Sequence, residues 1–222
     1  MSAHSSTVKS ARRRFVPLAI ATGVIGAALL ATSMSGTLSG FAASITNSNN
    51  TAATGALVMQ EQSSDATPIT CLSTDGGSIS TNTATCSTIN KFGGSTTMVP
   101  GQTVTTAISI KNVGSVAAST FTLTPGATCA QAANGSLNGT AADLCAKLNV
   151  VIKSGTATVF TGTAATLAGA VAGSGANAIA MPAAPAAGVS VPFTIAVTLA
   201  LAAGNTYQGL SASLPLTWTF AS

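Results

Sequence analysis

The sequence predicts an all-β fold, an antiparallel β-sandwich of jelly-roll or immunoglobulin-like type whose long loops are stapled by disulfides. Short runs rich in Val, Ile, Thr and Phe alternate apolar with polar residues, which is the period of a strand with one buried face. Gly, Pro, Asn and Ser separate these runs. Four cysteines lie outside the runs, and their even number predicts two disulfides. These three observations favour a single β-sandwich domain over residues 43–222.

Residues 1–42 have the layout of a secretory signal peptide. A basic segment ends at Arg14, an apolar run follows from Phe15 to Leu30, and small residues lead to a G-x-A motif that ends at Ala42. We therefore expect export and cleavage near Ala42, with an earlier cut near Ser35 as an alternative. An uncleaved membrane anchor is the alternative interpretation, because the run from Phe15 to Leu38 exceeds the roughly 20 residues that span a bilayer. The RRRFV segment resembles a twin-arginine signal, so the export route is open as well.

The basic excess of the chain lies entirely in this leader. After residue 42 the four lysines are balanced by four acidic residues, and charged residues make up only 5% of the whole chain. Such a neutral domain has no basic stripe to neutralise phosphates, so we expect no nucleic-acid partner. Low charge also leaves little Coulomb repulsion between copies, which is compatible with a stable exoprotein and with a self-associating subunit.

Seven strands are predicted after the leader. Two turns predict hairpins: Asn112–Ser115 joins the second strand to the third, and Ser154-Gly155 joins the fourth to the fifth. The last strand alternates around Trp218, the only tryptophan, which we expect to anchor the core. The predicted strands are 54–60, 103–111, 116–124, 148–153, 156–160, 189–201 and 211–220.

The Ala- and Gly-rich stretch 162–188 is predicted as a loop with one weak strand. Gly169, Gly173 and Gly175 interrupt its helical runs, and glycine is a poor helix former. A short helix over 164–172 is the alternative.

The cysteines Cys71, Cys86, Cys129 and Cys145 are expected to form two disulfides in an oxidising compartment. Four cysteines allow three pairings, and all three stay open. Sequential pairing would close loops of about 15 residues, and each such closure stabilises a fold by roughly 3 kcal/mol in the chain-entropy model. A zinc site is disfavoured, because no two cysteines stand as close as in C-x-x-C.

The domain lacks the residues that most catalytic sites require. The only histidine is His4, inside the leader, so the commonest general base and metal ligand is missing from the rest of the chain. The acidic residues are isolated along the sequence, and no phosphate-binding glycine loop occurs. We therefore expect no enzyme activity, no cofactor and no bound metal.

Several short segments, taken in order, resemble the TasA/camelysin family of secreted matrix proteins. The likeness begins where the leader runs into FAASITNS, continues with VPGQ before one strand and KNVGS after it, and ends with AGNTYQG before the last aromatic strand. Ser44-Ile45 stands where the family has an aromatic residue, and Asn47 stands where it has an aspartate. The resemblance implies a jelly-roll domain that assembles into extracellular fibres or biofilm matrix.

In related filaments a freed N-terminal segment completes a neighbour's sheet, so the resemblance implies a donor strand in residues 43–53. This segment opens with Ala43, Ser44, Ile45, Thr46 and Asn47. The implied partners are further copies of the chain, an accessory anchoring or nucleating subunit, and a dedicated signal peptidase. Membrane contact is expected only through the leader before cleavage, and the implied location is outside the cell or at its surface.

Two other functions stay open. A cell-surface adhesion or binding module that remains monomeric fits an exported β-domain, although few aromatic residues are left for a glycan-binding surface. A camelysin-like protease is disfavoured, because no histidine follows the leader.

Overall fold

The structure, a computed structural model, describes residues 51–77, 79–169 and 178–222. The strands and helices described all lie in the compact unit Ala53–Ser222. The expected signal peptide and the donor residues at positions 43–47 lie outside the described residues, so both stay predictions. No helix within the described ranges is long and apolar enough to cross a membrane.

The described residues form eleven strands and two short α-helices. All strand pairings are antiparallel, which confirms the predicted all-β class, whereas the jelly-roll or immunoglobulin-like type stays a prediction. The strands are β1 (Met59–Ser63), β2 (Thr70–Leu72), β3 (Thr103–Asn112), β4 (Thr120–Pro125), β5 (Ala130–Ala133), β6 (Leu148–Ser154), β7 (Ala157–Thr163), β8 (Ile179–Ala180), β9 (Ser190–Leu199), β10 (Leu210–Ser213) and β11 (Leu216–Ala221). The helices are α1 (Leu144–Lys147) and α2 (Ala164–Gly169), and Asn205–Tyr207 form a 3-10 turn.

The strands make three sheets. The largest has six strands in the order β2-β1-β3-β9-β6-β7, the second has the order β11-β4-β8, and the third pairs β10 with β5. Two disulfides, Cys71–Cys86 and Cys129–Cys145, confirm the predicted bridges and select sequential pairing from the three alternatives.

The core is built from the six-stranded sheet and the β11-β4-β8 sheet. Ile108 of β3 and Phe193 of β9 are almost fully buried, as the period-2 pattern of both strands predicts. From the other sheet, the Trp218 ring packs on Phe193 at a centroid distance of 4.5 Å, and the Phe121 ring packs on Phe193 at 5.7 Å. Aromatic pairs at these distances add to the free energy of burial. The role of Trp218 as a core anchor is therefore confirmed.

The hairpin predicted for 103–111 and 116–124 is wrong. β3 pairs with β1 and β9, whereas β4 pairs with β11 and β8, so the connection passes from one sheet to another. Buried Asn112 holds it: its Nδ2 donates to the Val116 carbonyl (2.8 Å) and the Pro185 carbonyl (3.2 Å), and its Oδ1 accepts from the Gly114 N–H (3.0 Å). Turn residues predict a chain reversal, but they do not show which strand the chain pairs with afterwards. The second hairpin, β6 with β7, is confirmed.

The single strand predicted at 211–220 is two strands in different sheets. β10 pairs with β5, and β11 pairs with β4. The break falls before Leu216, at Pro215, because proline has no N–H to donate to a ladder. Within β11 the predicted alternation holds, since buried Trp218 lies between exposed Thr217 and Thr219.

Two other boundaries also differ from prediction. The first strand begins at Met59 rather than at residue 54, because the carbonyls of Ala56 and Val58 accept backbone hydrogen bonds from the turn after β3. The loop predicted from residue 162 is wrong over α2, where the alternative helix forms. Thr163 Oγ1 accepts from the Thr166 N–H (3.1 Å), which is the bond of a threonine N-cap. The weak strand expected in the same stretch is β8.

Candidate functional site

A cleft of about 790 Å³ lies beside β11, between it, β1 and the loop that follows β2. Its lining includes Met59 and Glu61 of β1, Ile89 and Phe92 of the loop, and Trp218 of β11. Among the described residues, the six-stranded sheet continues to β1 and β2, whereas the last strand of the facing sheet on this side is β11. The cleft therefore lies where the second layer of the described fold stops.

The outer side of β11 has no strand partner among the described residues. The Gly126 N–H donates to the Pro215 carbonyl (2.7 Å), just before β11 begins. Counted from this pair along the antiparallel register, the odd-numbered residues of β11 are the ones whose main-chain groups bond to β4. Alternate residues of an antiparallel strand direct their main-chain groups to opposite sides. Three residues therefore present free N–H and C=O groups along the cleft, and the described structure gives these groups no partner: Leu216, Trp218 and Phe220.

A buried ion pair lies in the cleft. Lys91 Nζ is 2.8 Å from Glu61 Oε1, and the two side chains are only 12% and 11% exposed. Glu61 faces inward because it continues the period-2 face of Met59, with buried Ile110 beside it on β3. The two charged groups are in direct contact, so each compensates the burial of the other.

Trp218 places an unpartnered polar atom in the lining of the cleft. The residue is only 8% exposed, yet its Nε1 has no hydrogen-bond acceptor among the described residues. Buried tryptophan N–H groups usually find a partner, and leaving a buried donor unpaired costs about 1–3 kcal/mol. The cleft therefore has one unused hydrogen-bond donor, the Trp218 indole N–H.

The loop that forms one wall of the cleft is tied to β1 and β2. The Cys71–Cys86 disulfide joins it to β2. Asn82 Nδ2 donates to the Leu57 carbonyl (2.6 Å), and the Asn82 side-chain oxygen accepts from Ser73 Oγ (2.6 Å). Asn82 has a φ of 46°, a left-handed conformation that asparagine tolerates better than most residues. The disulfide, these polar contacts and the Lys91–Glu61 ion pair together hold the wall.

The residues singled out from the sequence fall in three places. The cysteines form the two bridges, of which Cys71–Cys86 borders the cleft. Trp218 is both a core anchor and a cleft residue. The five donor residues at 43–47 lie outside the described residues. Glu61 and Lys91 were not predicted as site residues. Glu61 could have been noticed, because it places a charge on the same inward face as Leu57 and Met59.

A separate polar cluster forms around Tyr207, near α1. The Tyr207 hydroxyl donates to Asp143 Oδ1 (2.7 Å), and Lys147 Nζ lies 5.8 Å from the ring centroid and 3.8 Å from Asp143 Oδ2. The hydrogen bond to Asp143 raises the pKa of Tyr207 above its ordinary value of 10.0, with smaller effects of desolvation and of the nearby negative charge. The neutral phenol is therefore favoured in the folded protein.

Spectrophotometric titration tests this pKa directly, because Tyr207 is the only tyrosine in the chain. We expect a tyrosinate absorbance midpoint above the ordinary value, and a midpoint shifted back toward it in Asp143→Ala. The stability from this hydrogen bond is present below the unfolded pKa of about 10 and is lost as pH rises through the folded pKa. Asp65→Ala, which removes a different exposed acid, serves as the control and leaves the midpoint unchanged. An unshifted Asp143→Ala midpoint would contradict the assignment.

Within residues 51–77, 79–169 and 178–222, no group of three or more His, Cys, Asp or Glu side chains could hold a metal ion. Among the described residues, the cleft instead provides a row of main-chain groups without partners, an apolar lining, a buried ion pair and one unused donor. No protein-family model matches this chain, and no curated protein matches it.

Proposed function

We propose that this protein is a secreted structural subunit that assembles into extracellular fibres or biofilm matrix by strand donation. Residues 43–53 of one copy add to the free edge of β11 in a neighbouring copy and fill the cleft beside it. The observation that carries the proposal is the outer side of β11, which no described strand pairs with and which runs along an apolar cleft. Exposed sheet edges are templates for pairing with another chain, and main-chain hydrogen bonds supply the affinity.

The dimensions of the cleft and the segment agree. β11 has six residues, which corresponds to about 20 Å of strand. An extended segment over residues 43–53 would reach roughly 36 Å at the usual length per residue, so it covers β11 and leaves several residues as a connection.

β11 also lacks the features that usually protect an edge. Its sequence, LTWTFA, contains neither a charged residue nor a proline. Natural edge strands that must remain unpaired commonly carry lysine, proline or a bulge. The balanced charge after residue 42 adds little repulsion between copies. Both features support an edge that receives a strand from another molecule.

The remaining parts of the proposal follow from the resemblance to the TasA/camelysin family. The two disulfides indicate an oxidising environment, and secretion with cleavage near Ala42 is the proposed route to it. We propose a non-enzymatic role, a jelly-roll topology, and assembly partners that are copies of this chain, with an accessory anchoring or nucleating subunit and a dedicated signal peptidase.

A second candidate, a monomeric surface-binding module, is favoured by the volume of the cleft. About 790 Å³ falls in the range of roughly 300–1,000 Å³ typical of small-ligand sites. The two functions differ in whether the exported chain polymerises.

Deletion of residues 43–53 behind an intact signal sequence tests the proposed function. We expect normal export of a folded, monodisperse monomer and no filaments by negative-stain electron microscopy, whereas the complete chain forms filaments. Assembly of the complete chain should also shift the emission of Trp218, the only tryptophan, because the donor strand covers the cleft that it lines.

A chain in which residues 43–53 are replaced by a Gly/Ser segment of equal length serves as the control, since it keeps the spacing after the cleavage site. It should remain monomeric like the deletion. Filaments from either variant would reject strand donation, and persistent monomers of the complete chain would favour the binding module.

A further inference from the structure

The residues just before β1 are bonded to the turn that follows β3. The Val113 N–H donates to the Val58 carbonyl (2.9 Å). The N–H groups of Ser115 and Val116 donate to the Ala56 carbonyl (2.8 and 3.2 Å), and the Ala56 N–H donates in return to Ser115 Oγ (2.9 Å). These bonds fix both ends of a three-residue stretch that belongs to no strand. We call residues 54–58 the root segment and residues 113–116 the anchor turn.

Two glycines allow the root segment and the anchor turn to lie this close. A Cβ at Gly114 would collide with the Ala56 carbonyl oxygen and would lie 2.7 Å from the Val58 nitrogen. A Cβ at Gly55 would collide with the Val116 side chain. Glycine permits such a close approach of two backbones, because it has no Cβ. The contact therefore depends on glycine at both positions.

The anchored residues come directly after the proposed donor segment. Residues 43–53 end just before Thr54, and Ala56 makes the first main-chain hydrogen bonds to the anchor turn. Only Thr54 and Gly55 would then connect a strand held by one subunit to a site fixed on the next. Two residues span at most about 7 Å, whereas a released root segment of five residues would span about 17 Å.

We propose that the anchor turn holds the base of the donor segment and thereby makes the link between neighbouring subunits stiff. This inference rests on the proposed strand donation. The length of a flexible link sets how far the two bodies that it joins can move relative to each other. A fixed base also leaves the donor segment less freedom to lose when it binds. The filament is therefore stiff because its subunits are joined by two residues rather than five.

The test is the bending of filaments formed by Gly114→Ala in the complete exported chain. The new methyl group collides with the root segment and releases it, so we expect the persistence length in negative-stain micrographs to fall at least about threefold. Gly204→Ala is the matched control, because a Cβ at Gly204 would meet no atom within 4 Å. Its filaments should bend like those of the unmodified chain.

Two further variants keep the test decisive if Gly114→Ala does not fold. Ser115→Ala removes only the side-chain bond from the Ala56 N–H, and we expect a smaller fall in persistence length. Insertion of Gly-Ser-Gly between Ala53 and Thr54 makes the link five residues long while the anchor turn stays intact. It should reproduce the full loss of stiffness, because it gives the same length of free chain.

Peptide binding separates the anchor turn from the cleft. A synthetic peptide of residues 43–53 is titrated calorimetrically into the chain that lacks these residues, with and without Gly114→Ala. We expect equal dissociation constants, because the anchor turn contacts the root segment and not the peptide. Weaker binding to the Gly114→Ala chain would assign the effect of this substitution to the cleft and would overturn the proposed role of the anchor turn.

The outcomes distinguish this inference from the proposed function. If the unmodified chain forms filaments and binds the peptide, but Gly114→Ala and Ser115→Ala filaments are as stiff as those of Gly204→Ala, the anchor is rejected while strand donation stands. Unchanged stiffness after the insertion would reject the two-residue link in the same way. If the peptide does not bind and the unmodified chain forms no filaments, strand donation itself fails.

Discussion

Replacing Lys91 with methionine is expected to lower the free energy of unfolding by roughly 3–5 kcal/mol, the range for removing one partner of a buried ion pair. The methionine keeps most of the apolar stem of lysine, so the loss of stability can be assigned to the missing positive charge. Glu61 would then be buried, 11% exposed as a side chain, without its cation. Urea unfolding followed by Trp218 fluorescence measures the change.

The matched controls are a double variant and an exposed pair. Glu61→Leu combined with Lys91→Met removes both charges, and we expect it to recover most of the lost stability, because replacing a whole buried pair by apolar residues is often neutral. Lys147→Met breaks the ion pair with Asp143, in which the Lys147 side chain is 30% exposed and the Asp143 side chain is 55% exposed. This change should alter the free energy of unfolding by at most about 1 kcal/mol. If Lys91→Met lowers the free energy of unfolding no more than Lys147→Met does, the Lys91–Glu61 pair does not stabilise the fold.

Removing the Cys71–Cys86 disulfide, with serine at both positions, is expected to cost about 3 kcal/mol. The bridge spans 15 residues, and constraining an unfolded loop of this length stabilises by that amount in the chain-entropy model. The same change releases one wall of the cleft, because the loop then depends on the polar contacts of Asn82. We therefore expect loss of stability and weakened filament formation together.

The second disulfide is a close control for the first. Cys129–Cys145 spans 16 residues, so serine at both of its positions should cost about the same free energy of unfolding. Neither of its cysteines lines the cleft, and filament formation should follow only the general loss of stability. Unfolding midpoints and filament yield, measured for both variants at a temperature where both are folded, separate the two effects. Equal filament yields would contradict a special role of the Cys71–Cys86 wall.

The cleft beside β11 is incomplete as a protein interior. Among the described residues, one side of β11 has no strand partner, and a buried ion pair lies in the cleft. A closed sandwich would cover Met59 and Glu61 with a further strand, whereas here the described residues leave the second layer one strand short on that side. An added strand would bury the apolar lining and pair the main-chain groups of β11. Under the proposed strand donation, an isolated subunit would therefore be folded and would still gain free energy by assembly.

The strand class of this protein could be predicted because period-2 patterning is local. Thr103–Asn112 and Ser190–Leu199 alternate more exposed with less exposed residues along their length, and both appear in the structure at nearly the predicted bounds. The two disulfides were predictable from an even number of cysteines, though not their pairing. β2 and β5, with three and four residues, are too short for a period to stand out.

Local patterning was therefore sufficient to predict the all-β class, the main long strands, the inward position of Trp218 and the presence of two bridges. The strand pairing became known only from the folded structure, because pairing depends on contacts between residues far apart in the chain. Glu61 and Lys91 are 30 positions apart in sequence and 2.8 Å apart in space, and nothing local to either residue encodes their contact. The free edge of β11 likewise depends on where the neighbouring sheet ends, which is a property of the whole packed fold.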